Sequence, residues 1–229
     1  SYIWQQFIAE NFDVIGPTFM RQIWEDSKQD SWVNEPDCYD LFQDFFQDEG
    51  TDFDSAYHTF NTWRYFAGRN DDGEHFSDAS SWPNGAEVRI ESTFTNYPVP
   101  WSGPAADRNP MEYGASYVAF VPPEIDGLYL EFAGDKAVNW KVSLILLTDL
   151  TTNENDVLPL SVGSDNTTSI WLANSSNFEK IVMVVSNVGD GVHDPDDEDR
   201  ATSRYQIRAD VQMPATPTPA PCPETGLSL

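Results

Sequence analysis

The stretch that most constrains the fold is residues 113–150, where apolar side chains recur at every second position in three successive runs. Turn-forming dipeptides separate the runs: Pro122-Pro123, Asp126-Gly127 and Gly134-Asp135. This pattern predicts three consecutive antiparallel strands in the middle of one sheet. Residues 144–147 are apolar at every position, so we expect the third strand to be covered on both faces.

The period-two pattern extends over most of the chain after residue 85. The predicted strands are 86–95, 114–122, 127–134, 139–148, 156–162, 168–173, 179–187 and 202–212. A Pro-rich loop is predicted at 96–113. Eight short strands with regularly spaced turns are typical of a sandwich or jelly roll.

The first 68 residues instead carry four amphipathic segments with helical spacing. Asp37 and Thr51 are predicted N-terminal caps, and Gly50 and Gly68 predicted helix ends. The aromatic side chains of these segments are interpreted as helix–helix core, with a ligand groove as the alternative. His58, among them, is expected at the surface or at its boundary.

These patterns predict an α+β chain with an N-terminal helical subdomain followed by an antiparallel, jelly-roll-like β-sandwich. The expected parts are a helical subdomain at 1–68, a connector at 69–85, the sandwich at 86–213 and a polyproline-like tail at 214–229. The sequence opens inside an apolar-periodic segment, without a signal peptide or a transmembrane run. We therefore expect a processed product of a longer precursor.

The charge balance excludes two classes of partner. With 38 acidic and 12 basic residues the net charge is −26, which repels nucleic acid and anionic membranes. We expect neither nucleic-acid binding nor membrane insertion. The acidity suits calcium, a cationic partner, or simply the solubility of an extracellular protein.

Catalytic motifs are absent from the sequence, which has no HExxH, GxSxG, GxGxxG or P-loop. His58, His75 and His193 are far apart, and none has a second His or Cys at the spacing of zinc ligands. The chain is therefore expected to be non-catalytic on its own, although an enzymatic role stays open.

An acid-rich loop at 189–200 is the best metal candidate. Its hard oxygen ligands suit calcium, with Asp190, Asp194, Asp196 and Asp197 as the ligands, although the EF-hand pattern is not met. A solvated hairpin loop is the alternative. A weaker acidic cluster lies at residues 70–74.

Two cysteines, Cys38 and Cys222, predict a disulfide that ties the tail to the helical part. Two thiols or an intermolecular bridge are the alternatives. Asn166 and Asn174 fit the acceptor pattern for N-glycosylation.

The segments SYIWQQFIAENFD and MRQIWED resemble the region downstream of the active site in secreted bacterial zinc metallopeptidases. The matching residues are Ile3, Trp4, Phe7, Glu10, Phe12, Ile23, Trp24 and Glu25. Residues 56–69 resemble the next helix of that family, and 96–121 resemble the start of its C-terminal β-domain, so the likeness covers residues 1–150. The family's HExxH and its later Glu motif lie upstream, so no catalytic residue is carried over. Asp13 stands where the family has Gly.

Three functions are compatible with these features. The first is a non-catalytic structural or assembly module, extracellular or at the cell surface, processed from a metallopeptidase-like precursor. It would bind other copies of itself, through residues 216–229, or the upstream part of the precursor. The second is the C-terminal half of a zinc protease whose catalytic residues lie upstream. The third is a carbohydrate- or surface-binding sandwich, with stacking candidates Trp82, Tyr97, Trp101 and Trp171.

Overall fold

The computed structural model describes residues 2–12, 14, 16–28, 38–82, 87–124, 127–190 and 203–213. Over these residues the chain forms four α-helices and then nine β-strands. The helices are α1 (Tyr2–Asn11), α2 (Gly16–Asp26), α3 (Cys38–Asp48) and α4 (Phe53–Trp63). The strands are β1 (Ile90–Phe94), β2 (Val99–Ser102), β3 (Ala115–Phe120), β4 (Leu128–Gly134), β5 (Trp140–Asp149), β6 (Glu154–Leu160), β7 (Thr167–Leu172), β8 (Lys180–Asn187) and β9 (Tyr205–Asp210).

The described residues fall into two compact units, one up to Val88 and one from Arg89 onward. The first holds the four helices and the described part of the predicted connector, residues 69–82. The second holds all nine strands. The α+β class predicted from the sequence is confirmed. Within the described ranges no helix is both long and apolar enough to cross a membrane.

Aromatic rings form the core of the helical unit. The Trp4 indole of α1 lies between Phe42 and Phe46 of α3 and Phe60 of α4, with ring centroids 4.9–6.0 Å apart. Phe7 and Phe46 are fully buried. The helical spacing of these residues thus produces the helix–helix core that it predicts.

Two helix ends show how local sequence sets the element boundaries. After α3, Gly50 adopts φ +78°, its N–H binds the Gln47 carbonyl at 3.0 Å, and Thr51 N–H binds the Phe46 carbonyl at 2.8 Å. This is a Schellman termination, which needs a residue that tolerates positive φ. Helix α4 is capped by Asp52, whose carboxylate accepts from Ser55 N–H at 2.7 Å, so the predicted cap at Thr51 was one residue early.

Three other predictions for the helical segments have different outcomes. The predicted helix end at Gly68 was too late, because α4 ends at Trp63 and a short 3-10 turn, Arg64–Phe66, follows. His58 is buried rather than at the surface or boundary, since α4 turns it inward. Asp37 lies outside the described residues.

The strands form a five-stranded sheet in the order β1-β3-β8-β5-β6 and a four-stranded sheet in the order β2-β9-β4-β7. The inner faces of both sheets contribute to one hydrophobic core, which includes Phe120, Phe132 and Leu144. Every pairing is antiparallel except β1 with β3, which run parallel. The predicted β-sandwich is confirmed.

The prediction that β3, β4 and β5 are neighbours in one sheet was wrong. β3 and β5 both flank β8 in the five-stranded sheet, whereas β4 lies in the other sheet between β9 and β7. Alternation reports which side chains face inward but not which strand lies alongside, and that explains the error. The expectation that β5 is covered on both faces is confirmed, because Leu144–Leu147 are all buried.

One strand was not predicted. β2 lies inside the predicted Pro-rich loop and pairs only with β9, at the edge of the four-stranded sheet. Pro100 is tolerated there because an edge strand has one side free of ladder hydrogen bonds. The predicted strand 86–95 starts later, at Ile90.

Candidate functional site

An aromatic cavity of about 430 Å³ lies in the described helical unit. This is within the size range of pockets that hold small ligands or short peptide segments. Residues from α1, α3 and α4 and one arginine just after α4 line it. They are Ile3, Trp4, Cys38, Tyr39, Phe42, Phe53, Tyr57, Phe60 and Arg64.

Helical spacing explains how one face of α4 comes to line the cavity. Phe53, Tyr57, Phe60 and Arg64 follow each other at intervals of three or four residues. The Tyr57 and Phe60 rings lie 5.7 Å apart, and Trp4 of α1 meets both, at 5.4 and 4.9 Å. Interlocked rings of this kind hold the wall of a cavity in place.

The polar groups of the cavity are few. The Arg64 guanidinium lies 5.9 Å from the Phe60 ring centroid, within reach of a cation–π interaction. Burial raises the pKa of the Tyr57 phenol, and nearby Arg64 partly offsets that rise. Tyr57 is therefore a neutral hydrogen-bonding group at neutral pH. Cys38 lines the cavity and is exposed.

The aromatic rings and the one arginine of this lining are chemically suited to an apolar, flat-sided group that carries a negative charge. The sequence analysis interpreted these aromatic residues as core and kept a ligand groove as the alternative. Buried rings such as Phe46 fill the core as interpreted, and other rings line the cavity. The ligand groove stays a prediction. In the sequence, the cavity is indicated by the helical spacing that places Tyr57, Phe60 and Arg64 on one face of the helix.

The outer face of the four-stranded sheet carries a second group of polar and aromatic residues. Tyr129 of β4 pairs with Trp171 of β7, and Glu131 lies two residues further along β4. Glu131 is 8% exposed, and among the described residues no hydrogen-bond donor reaches its Oε2. The nearest cation, Arg208 Nη1, is 3.9 Å away. Burial raises the Glu131 pKa, and Arg208 partly offsets the rise.

The loop after the helices contains a buried acid–imidazole pair. His75 Nδ1 donates to the Asp72 carboxylate at 2.7 Å, and the backbone N–H groups of Glu74 and His75 donate to the same carboxylate. Asn70 donates its amide to the Tyr65 carbonyl, and Asp71 accepts from Gly73 N–H. The weaker acidic cluster predicted at 70–74 is thus used in internal turns.

Over the part of the chain that is described, no three His, Cys, Asp or Glu side chains are grouped as metal ligands would be. Asp190, of the predicted calcium loop, is exposed after Gly189. Asp194, Asp196 and Asp197 lie outside the described residues. The calcium site stays a prediction.

The predicted disulfide and glycosylation sites are described in part. Cys38 opens α3, and Cys222 lies outside the described residues. The Asn166 amide donates to the carbonyls of Asp135 and Val138, both at 2.7 Å. Asn174 is exposed. These modifications stay predictions as well.

The four stacking candidates do not form one platform. Trp82 packs on Phe76 in the helical unit and donates to Asp78. The Tyr97 hydroxyl donates to the Val121 carbonyl at 2.9 Å, and its ring packs on the sandwich core. Trp101 on β2 and Trp171 on β7 occupy opposite edges of the four-stranded sheet, with β9 and β4 between them.

Known proteins offer few matches. No protein family matches the chain, and no curated protein is recognisably related to it. Among solved structures, the pre-peptidase C-terminal domain of a collagenase from Bacillus anthracis is similar at a TM-score of 0.34 and 9% identity. The match covers 54% of this chain and 99% of that domain. A likeness of this size carries no conclusion about activity.

Proposed function

We propose that this chain is a non-catalytic, extracellular module of a metallopeptidase-like precursor, and that it binds the upstream part of that precursor. The observation that carries the proposal is the orientation of the I-W-E segment in α2. Ile23 is buried and anchors the helix, whereas Trp24 is 71% exposed. An exposed tryptophan is a typical anchor of a protein interface.

The rest of the resembling segment supports a structural role. Trp4 and Phe7 pack in the aromatic core, and the Glu10 carboxylate accepts hydrogen bonds from the Ser77 N–H and hydroxyl at 3.0 and 2.6 Å. These residues hold the helical unit together, whereas Trp24 of α2 is exposed. A protease whose catalytic residues lie upstream is the alternative. An intact HExxH motif upstream favours that alternative.

The test uses the upstream part of the precursor as a separate protein. We expect it to bind the full chain, and Trp24→Ala to weaken the binding about 30-fold, as loss of a hot-spot side chain does. The matched control is Leu150→Ala, an apolar residue that is 46% exposed in the second unit. Equal affinity of both variants would overturn the role of Trp24. Peptide hydrolysis by the chain alone with zinc would overturn the non-catalytic assignment.

A second candidate function rests on the outer face of the four-stranded sheet. Aromatic rings beside a carboxylate and a guanidinium are suited to stack on sugars and bind their hydroxyls. Trp171 and Arg208 are half-buried on that face, and the buried Tyr129 and Glu131 lie beside them. We expect Trp171→Ala to abolish glycan-array binding, with Val157→Ala, exposed on β6, as the control. Loss in Trp101→Ala alone would place the binding at the other sheet edge.

A further inference from the structure

We infer that one water molecule is bound inside the sandwich, where it joins the phenol of Tyr205 on β9 to the edge strand β1 of the opposite sheet. This internal site lies within the second compact unit and is independent of the proposed function. Three features point to it: a buried phenol, a cavity of the right size, and polar side chains on an inner face that is otherwise apolar.

The Tyr205 side chain is buried in the sandwich core. Its ring packs against Phe132 and Trp140, with both pairs of ring centroids 5.9 Å apart. The residue is 1% exposed, and its hydroxyl oxygen has no hydrogen-bond partner among the described residues. Burial raises the pKa of Tyr205 to about 12, while the nearby Ser116 side chain lowers this pKa and Glu91 raises it. Both groups therefore lie near the phenol, but neither is placed for a direct hydrogen bond. A buried hydroxyl without a partner costs free energy.

A small cavity of about 10 Å³ is lined by Tyr205. Its wall also includes Ile207 of β9, Val118 of β3, and Glu91 and Ser92 of β1. One water molecule needs a cavity of about 10–15 Å³, and a buried water typically makes about three hydrogen bonds to protein groups. The cavity therefore has room for one water molecule and for nothing larger.

Polar side chains occupy inward positions around this cavity. Val118 belongs to the hydrophobic core, and Ser92 is its partner across the parallel pairing of β1 with β3, so Ser92 lies on the same inner face. Ser116 precedes Val118 by two residues and is buried on that face too. The register of β1 shifts between Ile90 and Ser92, and Glu91, at the shift, lines the cavity. Polar groups inside an apolar core need hydrogen-bond partners, which a water molecule supplies.

The surroundings of Glu91 favour water over a metal ion. Its carboxylate already faces two guanidinium groups, with Arg89 Nε at 3.7 Å and Arg108 Nη1 at 3.5 Å. A cation in the cavity would be repelled by both arginines. Water instead accepts from the Tyr205 phenol and donates to the carboxylate, and the Ser92 hydroxyl supplies the third hydrogen bond. The water thus ties β1, which has only β3 beside it in its own sheet, to β9 of the other sheet.

The experiment detects the water in the full chain by NMR. Val118 and Ile207 are buried in the cavity wall, where bulk water does not reach their methyl groups. We expect cross-relaxation peaks between water and these methyl groups, with the sign of a long-lived water. Tyr205→Phe should remove the peaks and lower the Tm by about 2–4 °C, because it removes a hydrogen-bond partner. Oxygen-17 relaxation dispersion, which does not detect exchanging hydroxyl hydrogens, should show one long-lived water fewer in this variant. The matched control is Tyr129→Phe, a buried tyrosine of the same sheet that does not line the cavity, and it should keep the peaks.

Three results would overturn the inference. If the wild type shows no water peaks at Val118 and Ile207, the cavity is dry. If the peaks and the oxygen-17 count are the same in Tyr205→Phe, the phenol does not hold the water. A higher Tm for Tyr205→Phe would also contradict the inference, because removal of a hydroxyl that has no partner relieves a cost. The wild-type measurement needs no variant, so it decides the matter even if Tyr205→Phe fails to fold.

Discussion

The imidazole of His75 and the carboxylate of Asp72 lie 2.7 Å apart in a loop of the helical unit, and the His75 ring stacks on Phe66 with centroids 3.9 Å apart. The Asp72 side chain is only 3% exposed. Burial works to raise its pKa, but hydrogen bonds from the His75 side chain and from backbone N–H groups outweigh burial and lower the pKa to about 2. The loop thus depends on an ionised carboxylate.

Asp72→Asn should destabilise the helical unit in a pH-dependent way. Because the carboxyl pKa is about 2 when folded and 3.8 ordinarily, its contribution is complete above 3.8 and is lost as pH falls toward 2. We expect the variant to lose about 2 kcal/mol of unfolding free energy at neutral pH and to match the wild type below the folded pKa. Urea unfolding at several pH values measures this. Asp107→Asn, at an exposed site, should change little. Parallel pH profiles for wild type and Asp72→Asn would contradict the prediction.

Glu131→Gln should raise the unfolding free energy at neutral pH, whereas Asp72→Asn lowers it. Burial raises the Glu131 pKa above its ordinary 4.5, so the folded protein binds the proton more tightly than the unfolded chain does. Stability is therefore highest below 4.5 and falls as pH rises toward the folded pKa. We expect the neutral amide to raise the unfolding free energy at neutral pH by about 1 kcal/mol, the size of one poorly paired buried group. Thermal unfolding at acidic and neutral pH is the measurement, with the exposed Glu154→Gln as control. If Glu131→Gln is less stable than the wild type at neutral pH, the ion pair with Arg208 contributes more to stability than burial of the carboxylate costs, and the prediction is wrong.

Asp52→Ala should weaken the start of α4. The Asp52 carboxylate accepts from Ser55 N–H at 2.7 Å and from the Ser55 hydroxyl at 2.7 Å. Loss of an N-terminal cap costs about 1 kcal/mol. Chemical denaturation followed by far-ultraviolet circular dichroism measures the change. The control is Asp44→Ala, at an exposed position within α3. It removes the same charge but no N-terminal cap, so it should lower the unfolding free energy by less.

Gly134→Ala should disturb the sandwich through Trp140. A methyl group at Gly134 would overlap the Trp140 indole, which is 4% exposed and donates to the Asp135 carbonyl at 2.9 Å. Overpacking of this kind costs about 1–3 kcal/mol. Trp140→Phe should recover part of the loss, because a smaller ring leaves room for the methyl group. If the two changes are additive in urea unfolding, the clash is not the cause.

Much of the fold could be predicted because spacing reports which side chains are buried. Phe53, Tyr57 and Phe60 recur with helical spacing, and Leu130 and Phe132 alternate as in a strand. Strand partners could not be predicted, since the alternation of β4 is satisfied in either sheet. The short strand β2 was missed because Pro100 is a turn signal in the middle of a sheet but is permitted at its edge.

Less of the candidate sites could be predicted. The aromatic face of α4 is readable from sequence, but the cavity forms only where α1, α3 and α4 fail to fill the space between them. The lack of a hydrogen bond to Glu131 Oε2 depends on how far Arg208 reaches from a strand more than 70 positions later. Distances of this kind are set by packing, and the spacing of residues along one strand does not predict them.

The late position in the chain of two interior strands, β8 and β9, has a consequence for how the protein is made. Tyr117 of β3 has one of its two cross-strand neighbours, Val184, on β8, and Leu130 of β4 has one of its two, Ala209, on β9. β8 lies between β3 and β5, and β9 lies between β2 and β4. These four earlier strands therefore leave the ribosome before the strand that will lie between them has been synthesised. Non-local pairing of this kind slows folding. A nascent chain stopped before Tyr205 holds β2 and β4 with a gap where their common neighbour belongs, and the last strand synthesised is the one that closes the sheet.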